Sequence, residues 1–117
     1  MSSGQTIYAD FMDLAEATDR LVEQIPELVN AASEKQAEFD VARKKRELYY
    51  RDVKDRPVGM LKHLVMGDPD ISALKIAADG AQALVDQNNE RIMLNKKILS
   101  AMSEWARHEQ WRSNAND

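Results

Sequence analysis

Four consecutive cations, Arg43-Lys44-Lys45-Arg46, followed closely by Tyr49, Tyr50, Arg51, Lys54 and Arg56, form the densest group of chemically useful side chains in the sequence. Cations neutralise phosphates, and a tyrosine ring offers a face on which an unpaired base can stack. Arg43, Lys44, Lys45, Arg46 and Tyr50 therefore suit contact with single-stranded nucleic acid. Glu47, Asp52 and Asp55 dilute the group, and a salt-bridged helix face explains the same residues more simply. The net charge of −4 also argues against a dedicated duplex binder, which is usually basic.

No constellation for catalysis stands out. His63 lies among Leu61, Leu64 and Val65 with no acid beside it. Glu104 and His108 are four apart and share a helix face, but Glu-x-x-His metal sites need a spacing of three and further inward acids. His108-Glu109 opens like a zinc-protease helix, yet Arg112 stands where the second histidine belongs. Gly59, Gly67 and Gly80 are isolated, so they build no phosphate loop, and no Ser or Thr has a base beside it. The absence of cysteine removes disulfides and thiolate metal sites. The sequence thus predicts a protein that is not an enzyme and needs neither cofactor nor metal.

Two further features suit binding rather than chemistry. Ala77-Ala78-Asp79-Gly80-Ala81-Gln82-Ala83 carries almost nothing but small side chains. Gly inside a helix costs about 1 kcal/mol relative to Ala, and small residues let another backbone or a large ring approach. The first expectation is that Arg46, Tyr49 and Tyr50 lie against these alanines. A docked partner helix is the second, and a helix break at Asp79-Gly80 the third. Trp105 and Trp111 are expected to pack near Phe11, Leu14 and Leu21 and lock the open end of the fold. The candidate partner-binding residues are accordingly Ala77, Gly80, Ala81, Trp105 and Trp111.

The elements that position these residues are read from periodicity. Alternating steps of four and three pick out Leu14, Thr18, Leu21, Ile25, Leu28, Ala32, Lys35, Phe39, Ala42, Arg46, Tyr49 and Val53. Nine of these twelve are apolar, a heptad stripe that predicts a long helix over 6–54. Pro26 cannot donate to the carbonyl of Val22, so a kink or break is expected near it. Residues 55–68 form the connection, with Met60–Met66 as a short helical turn and Gly67 as its left-handed cap. Asp68-Pro69-Asp70 reads as a helix start, with a capping carboxylate, a proline at the first position and an acid at the positive end of the dipole. A second long helix follows over 69–112. One of its stripes is Leu74, Ala78, Ala81, Val85, Asn88, Ile92, Asn95, Leu99, Met102 and Ala106, and a neighbouring one is Ala77, Leu84, Arg91, Ile98 and Trp105.

So short a connection makes the two helices antiparallel. The predicted fold class is all-α, an antiparallel, coiled-coil-like helical hairpin in a single domain over 1–117, with 1–5 and 113–117 as flexible ends. Charge agrees: residues 1–40 hold nine acids against two bases, residues 41–63 eight bases against three acids, residues 64–90 five acids against one base, and residues 91–117 five bases against three acids. Folding at the connection sets opposite signs side by side. The apolar face of the second helix is wider than one partner helix can cover. Self-association into a homodimer or a higher helix bundle is therefore expected. No apolar run approaches the roughly 18 residues of a membrane span, and the start, Met1-Ser2-Ser3-Gly4-Gln5, lacks the pattern of a signal peptide. A cytoplasmic location without membrane contact is the expectation.

Arg56-Pro57-Val58 through Gly67-Asp68-Pro69, then a helix ending in Glu104-Trp105, resembles short helical proteins encoded in phage and prophage genomes, often beside replication or recombination genes. The likeness covers about half of the chain. It implies a phage-type accessory protein that binds a phage or host protein to modulate or recruit it. The alternative is a weak single-stranded nucleic-acid-binding accessory protein of replication or recombination. In size, acidity, missing cysteines and two-helix plan the chain also looks like the secreted WXG-type hairpins. Their Trp-x-Gly turn is absent, Pro57-Val58-Gly59 standing in its place.

Overall fold

A computed structural model of the chain describes residues 4–115, and the side chains of 6–112. It contains α1 (Gly4–Glu23), α2 (Ile25–Leu48), a π-helical turn (Tyr49–Val53), α3 (Val58–Met66) and α4 (Pro69–Ala115), with no strand among the described residues. The all-α expectation holds. Of the ends expected to be flexible, the backbone at Gly4 and Gln5 and at 113–115 is helical, while residues 1–3 and 116–117 lie outside the described residues.

The break expected near Pro26 falls at Gln24, a single turn residue between α1 and α2. Its N–H still reaches the Arg20 carbonyl at 3.3 Å. Proline supplies no N–H two positions later, so the Val22 carbonyl loses its i→i+4 donor. The helix therefore stops there.

The chain divides into two compact units. One is Pro26–Asp86; the other joins the described residues up to Ile25 with those from Gln87 on. In the Pro26–Asp86 unit α2 and the first half of α4 run antiparallel. Arg46 lies level with Asp68 and Asp70, and Ala32 and Gln36 face Ala78 and Gln82. Phe39, Val65, Ile71 and Ala78 form the buried cluster, with Ala42, Tyr50, Met66 and Leu74 packed on it. α3 covers the end of this pair by burying Leu61 and Val65. The start of α4 is built as its residues predict. The Asp70 N–H donates to Asp68 Oδ1 at 2.9 Å, and Arg46 Nε lies 3.3 Å from Asp68 Oδ2. Asp68 needs that partner because its side chain is only 11% exposed.

In the other unit α1 and the second half of α4 form the antiparallel pair. Its buried residues are Thr18, Asn88 and Ile92, all from the predicted stripes. Two of the three are polar, and each is satisfied. Thr18 Oγ1 donates to the Leu14 carbonyl at 2.7 Å, and Asn88 Nδ2 donates to the Leu21 carbonyl at 2.9 Å.

Four expectations are corrected. Gly67 has φ −82°, so it caps α3 in the right-handed region, and a Cβ there would stand 3.1 Å from the His63 carbonyl oxygen. Close approach, not handedness, selects glycine; the left-handed residue is Asp55, at φ 52°. Tyr49 and Val53 lie on the heptad stripe yet are exposed, and Tyr50 is the tyrosine packed on the core. A straight helix slips about 20° against each heptad, so by the last turn Tyr50 has come round in place of Tyr49. The π turn, closed by Lys54 N–H on the Tyr49 carbonyl at 3.2 Å, ends the stripe. Arg46 and Tyr49 lie beside Asp70, Ile71 and Leu74, not the alanine segment, which faces Ala32 to Asp40 instead. Finally, α4 runs unbroken through Asp79-Gly80.

Among the described residues, and apart from the helix's own adjacent backbone, no atom lies within 4 Å of where a Gly80 Cβ would stand. Gly80→Ala is therefore expected to stabilise the Pro26–Asp86 unit by about 1 kcal/mol, read as a higher urea midpoint at unchanged slope. An unchanged or lower midpoint would show that the helix needs glycine at that position.

Candidate functional site

The surface with the clearest capacity to bind is the end of the α1–α4 pair. Burial falls off along the seam: Thr18, Asn88 and Ile92 are buried, whereas Leu14, Phe11, Ile7, Leu99 and Met102 are only half-buried and Ala106 is exposed. Two helices touch along one line, and nothing covers the flanks of large side chains on that line. The result is a groove of about 640 Å³ lined by Ile7, Tyr8 and Phe11 of α1 and by Met102, Trp105, Ala106, Arg107 and Glu109 of α4. Its volume and apolar lining are those of a binding cleft. It is open along its length, which suits a helix or strand better than a small molecule.

Trp105 is 49% exposed and Trp111 66%. The expected packing of both indoles into the core is thus corrected. Trp105 precedes the seam residue Ala106 by one position, about 100° around the helix, and so points aside from α1. Trp111 stacks on His108, ring centroids 6.3 Å apart and planes 26° apart. The neighbouring stripe of α4 is likewise uncovered: Ala77, Leu84, Arg91, Ile98 and Trp105 are all exposed. Leu84, Leu94 and Ile98 show 54%, 59% and 41% of their surface. Leu94 was missed by the sequence reading, although it sits four residues before Ile98 and so shares its face. Of the small-residue candidates, Ala77 and Gly80 are exposed and Ala81 half-buried; the deeply buried member of that segment is Ala78, at 3%.

The basic group is dispersed by its own contacts. Arg43 lies over the Phe39 ring at 5.8 Å and 4.0 Å from Asp40, Arg46 holds Asp68 and Asp70, and Tyr50 packs on the core. Lys44 and Lys45 are exposed. Lys54 covers the Tyr49 ring at 5.8 Å. Arg51 has its pKa raised above the ordinary arginine value by its hydrogen bond to Asp52 and then by that carboxylate's charge. It is a cation at any working pH, so this shift serves no proton transfer. Among the described residues no group of three His, Cys, Asp or Glu side chains could hold a metal ion, and no helix is long and apolar enough to cross a membrane.

No family model, no curated protein and no solved structure matches the chain.

Proposed function

We propose that the chain is a non-enzymatic protein-interaction module that docks an apolar helix of another protein in the groove between the ends of α1 and α4. The observation that carries this reading is the half-exposed seam of Ile7, Phe11 and Met102 beside an exposed Trp105. Leaving several large apolar side chains wet forfeits about 25 cal/mol per Å², and a partner that covers them recovers it. Tryptophan is among the residues most enriched at binding hot spots. Leu94 and Ile98, both exposed, extend the apolar surface along the same half of α4. An accessory protein of the phage type, modulating or recruiting a phage or host protein, is the biological form that the sequence resemblance adds.

Affinity capture from a lysate of the encoding organism tests the reading, with wild-type, Trp105→Ala and Phe11→Ala chains compared by mass spectrometry. A specific partner retained by the wild type should be lost from both variants, with affinity at least about tenfold weaker. In a Trp111→Phe chain that partner should shift the Trp105 emission to shorter wavelength. A partner held equally well by Trp105→Ala would place the contact elsewhere.

A further inference from the structure

The half of α4 that packs with α1 carries a second apolar surface. Leu94, Ile98, Ala101 and Trp105 follow one another at steps of four, three and four, so they form a single row along the helix. All four are exposed. α1 packs on the side of α4 that carries Asn88 and Met102, about a quarter turn away. It therefore stands beside the row and leaves it uncovered. All of these residues belong to one compact unit.

Lys97 and Glu104 border this row on the flank away from α1, one heptad apart. Among the described residues, neither makes an ion pair or a side-chain hydrogen bond. No acid stands three or four places from Lys97, so its own helix offers it no partner. A row with a cation toward one end and an anion toward the other becomes its own complement when turned end over end.

We propose that a second copy of this chain covers the row with the same row, the two α4 helices lying antiparallel about a two-fold axis between Ile98 and Ala101. Leu94 then lies opposite Trp105 of the second copy, and Ile98 opposite its Ala101, a bulky residue against a small one. The same register sets Lys97 beside Glu104 of the second copy, and symmetry makes that pair twice. Further out it sets Arg91 beside Glu109 and Glu90 beside His108, so no like charges meet along the contact. A shift of one heptad in one direction would put Trp105 against Gln87 and Lys97 against its own counterpart. A shift in the other would put Leu94 against Arg112 and Glu104 against its own counterpart. Apolar fit and charge thus select one register. From Arg91 to Glu109 the contact is about 27 Å long, the size of a small, reversible interface. It uses only α4 of each copy, and of the row only Trp105 also lines the groove. The dimer therefore goes beyond the partner-binding reading and does not rest on it.

Sedimentation velocity on the full chain, over a range of concentration, tests the proposal. The wild type should be a reversible dimer. Lys97→Glu and Glu104→Lys each set like charges against one another twice, so each chain should dimerise at least about tenfold more weakly, with unchanged helix content by circular dichroism. Mixing the two reversed chains returns opposite charges to both contacts and should restore the dimer, which a general loss of folding cannot do. Phe11→Ala, which weakens groove binding, should leave the dimer intact. A wild type that stays monomeric at every concentration overturns the proposal and leaves the groove reading standing. Reversed chains that dimerise as well as the wild type, or a mixture that stays monomeric, overturn it equally. A dimer lost in Phe11→Ala would seat the copies in the groove and overturn it too.

Discussion

A Phe39→Ala chain is expected to lose about 3–5 kcal/mol of stability. Phe39 is 7% exposed and is the largest side chain in the cluster with Val65, Ile71 and Ala78. Its neighbours cannot close the hole. Ala42 and Ala78 are too short to reach in, and Val65 and Ile71 are each only 2% exposed and already fully packed. The loss also strips the faces over which Arg43 and Lys75 sit, at 5.8 and 5.7 Å from the ring centre. Each such contact adds of order 0.5–1 kcal/mol at an exposed site. Against a total of about 5–15 kcal/mol for a domain, the Pro26–Asp86 unit would stand near its unfolding threshold. Urea unfolding followed by circular dichroism measures the effect. Val41→Ala, an exposed position on the same helix, is the control and should move stability by less than about 0.5 kcal/mol. A Phe39→Ala loss below about 1 kcal/mol would mean that this cluster is not what holds the unit together.

How far the sequence foretold these results depends on which kind of signal each rested on. Phase was reliable. Thr18, Ala32 and Phe39 on one stripe and Ala78, Val85, Asn88 and Ile92 on the other are all buried, because a regular helix turns the same angle at every residue. Chemical identity was less reliable. Both tryptophans are expected at the open end against Phe11, Leu14 and Leu21, yet both are exposed, Trp105 lying one position off the seam. The alanine segment was read as a docking floor for tyrosines. In the register observed, Arg46 lies level with Asp68 and Asp70, a pairing among many acids that composition does not rank. The π turn at Tyr49–Val53 leaves no residue signature, since its i→i+5 bonds use the same side chains as an α turn. At the groove, the residues were legible but their half-burial was not. How much of a seam remains wet depends on how closely two helix ends approach, which no single position encodes.

Asn88 and Pro26 answer one another across more than sixty residues of sequence. Pro26 brings α1 to a stop at Glu23, so the last carbonyls of that helix need donors from outside it. The Leu21 carbonyl is one of them, and the Asn88 side chain, 6% exposed, supplies an N–H at 2.9 Å. An asparagine in an apolar stripe usually costs stability relative to a hydrophobic residue. Here it supplies a donor to a half-buried helix end. Asn88→Ala removes the donor, strands the carbonyl and opens a small hole, so a loss toward the upper part of the ~1–3 kcal/mol range is expected. Pro26→Ala returns an N–H to the Val22 carbonyl and lets the helix run on through Gln24, which gives the end carbonyls of α1 their own chain as partner. In that background Asn88→Ala should cost less than in the wild type, by an interaction energy of at least about 0.5 kcal/mol in a double-mutant cycle. Strictly additive losses would show that Asn88 serves only as seam filling and that the helix break does not depend on it.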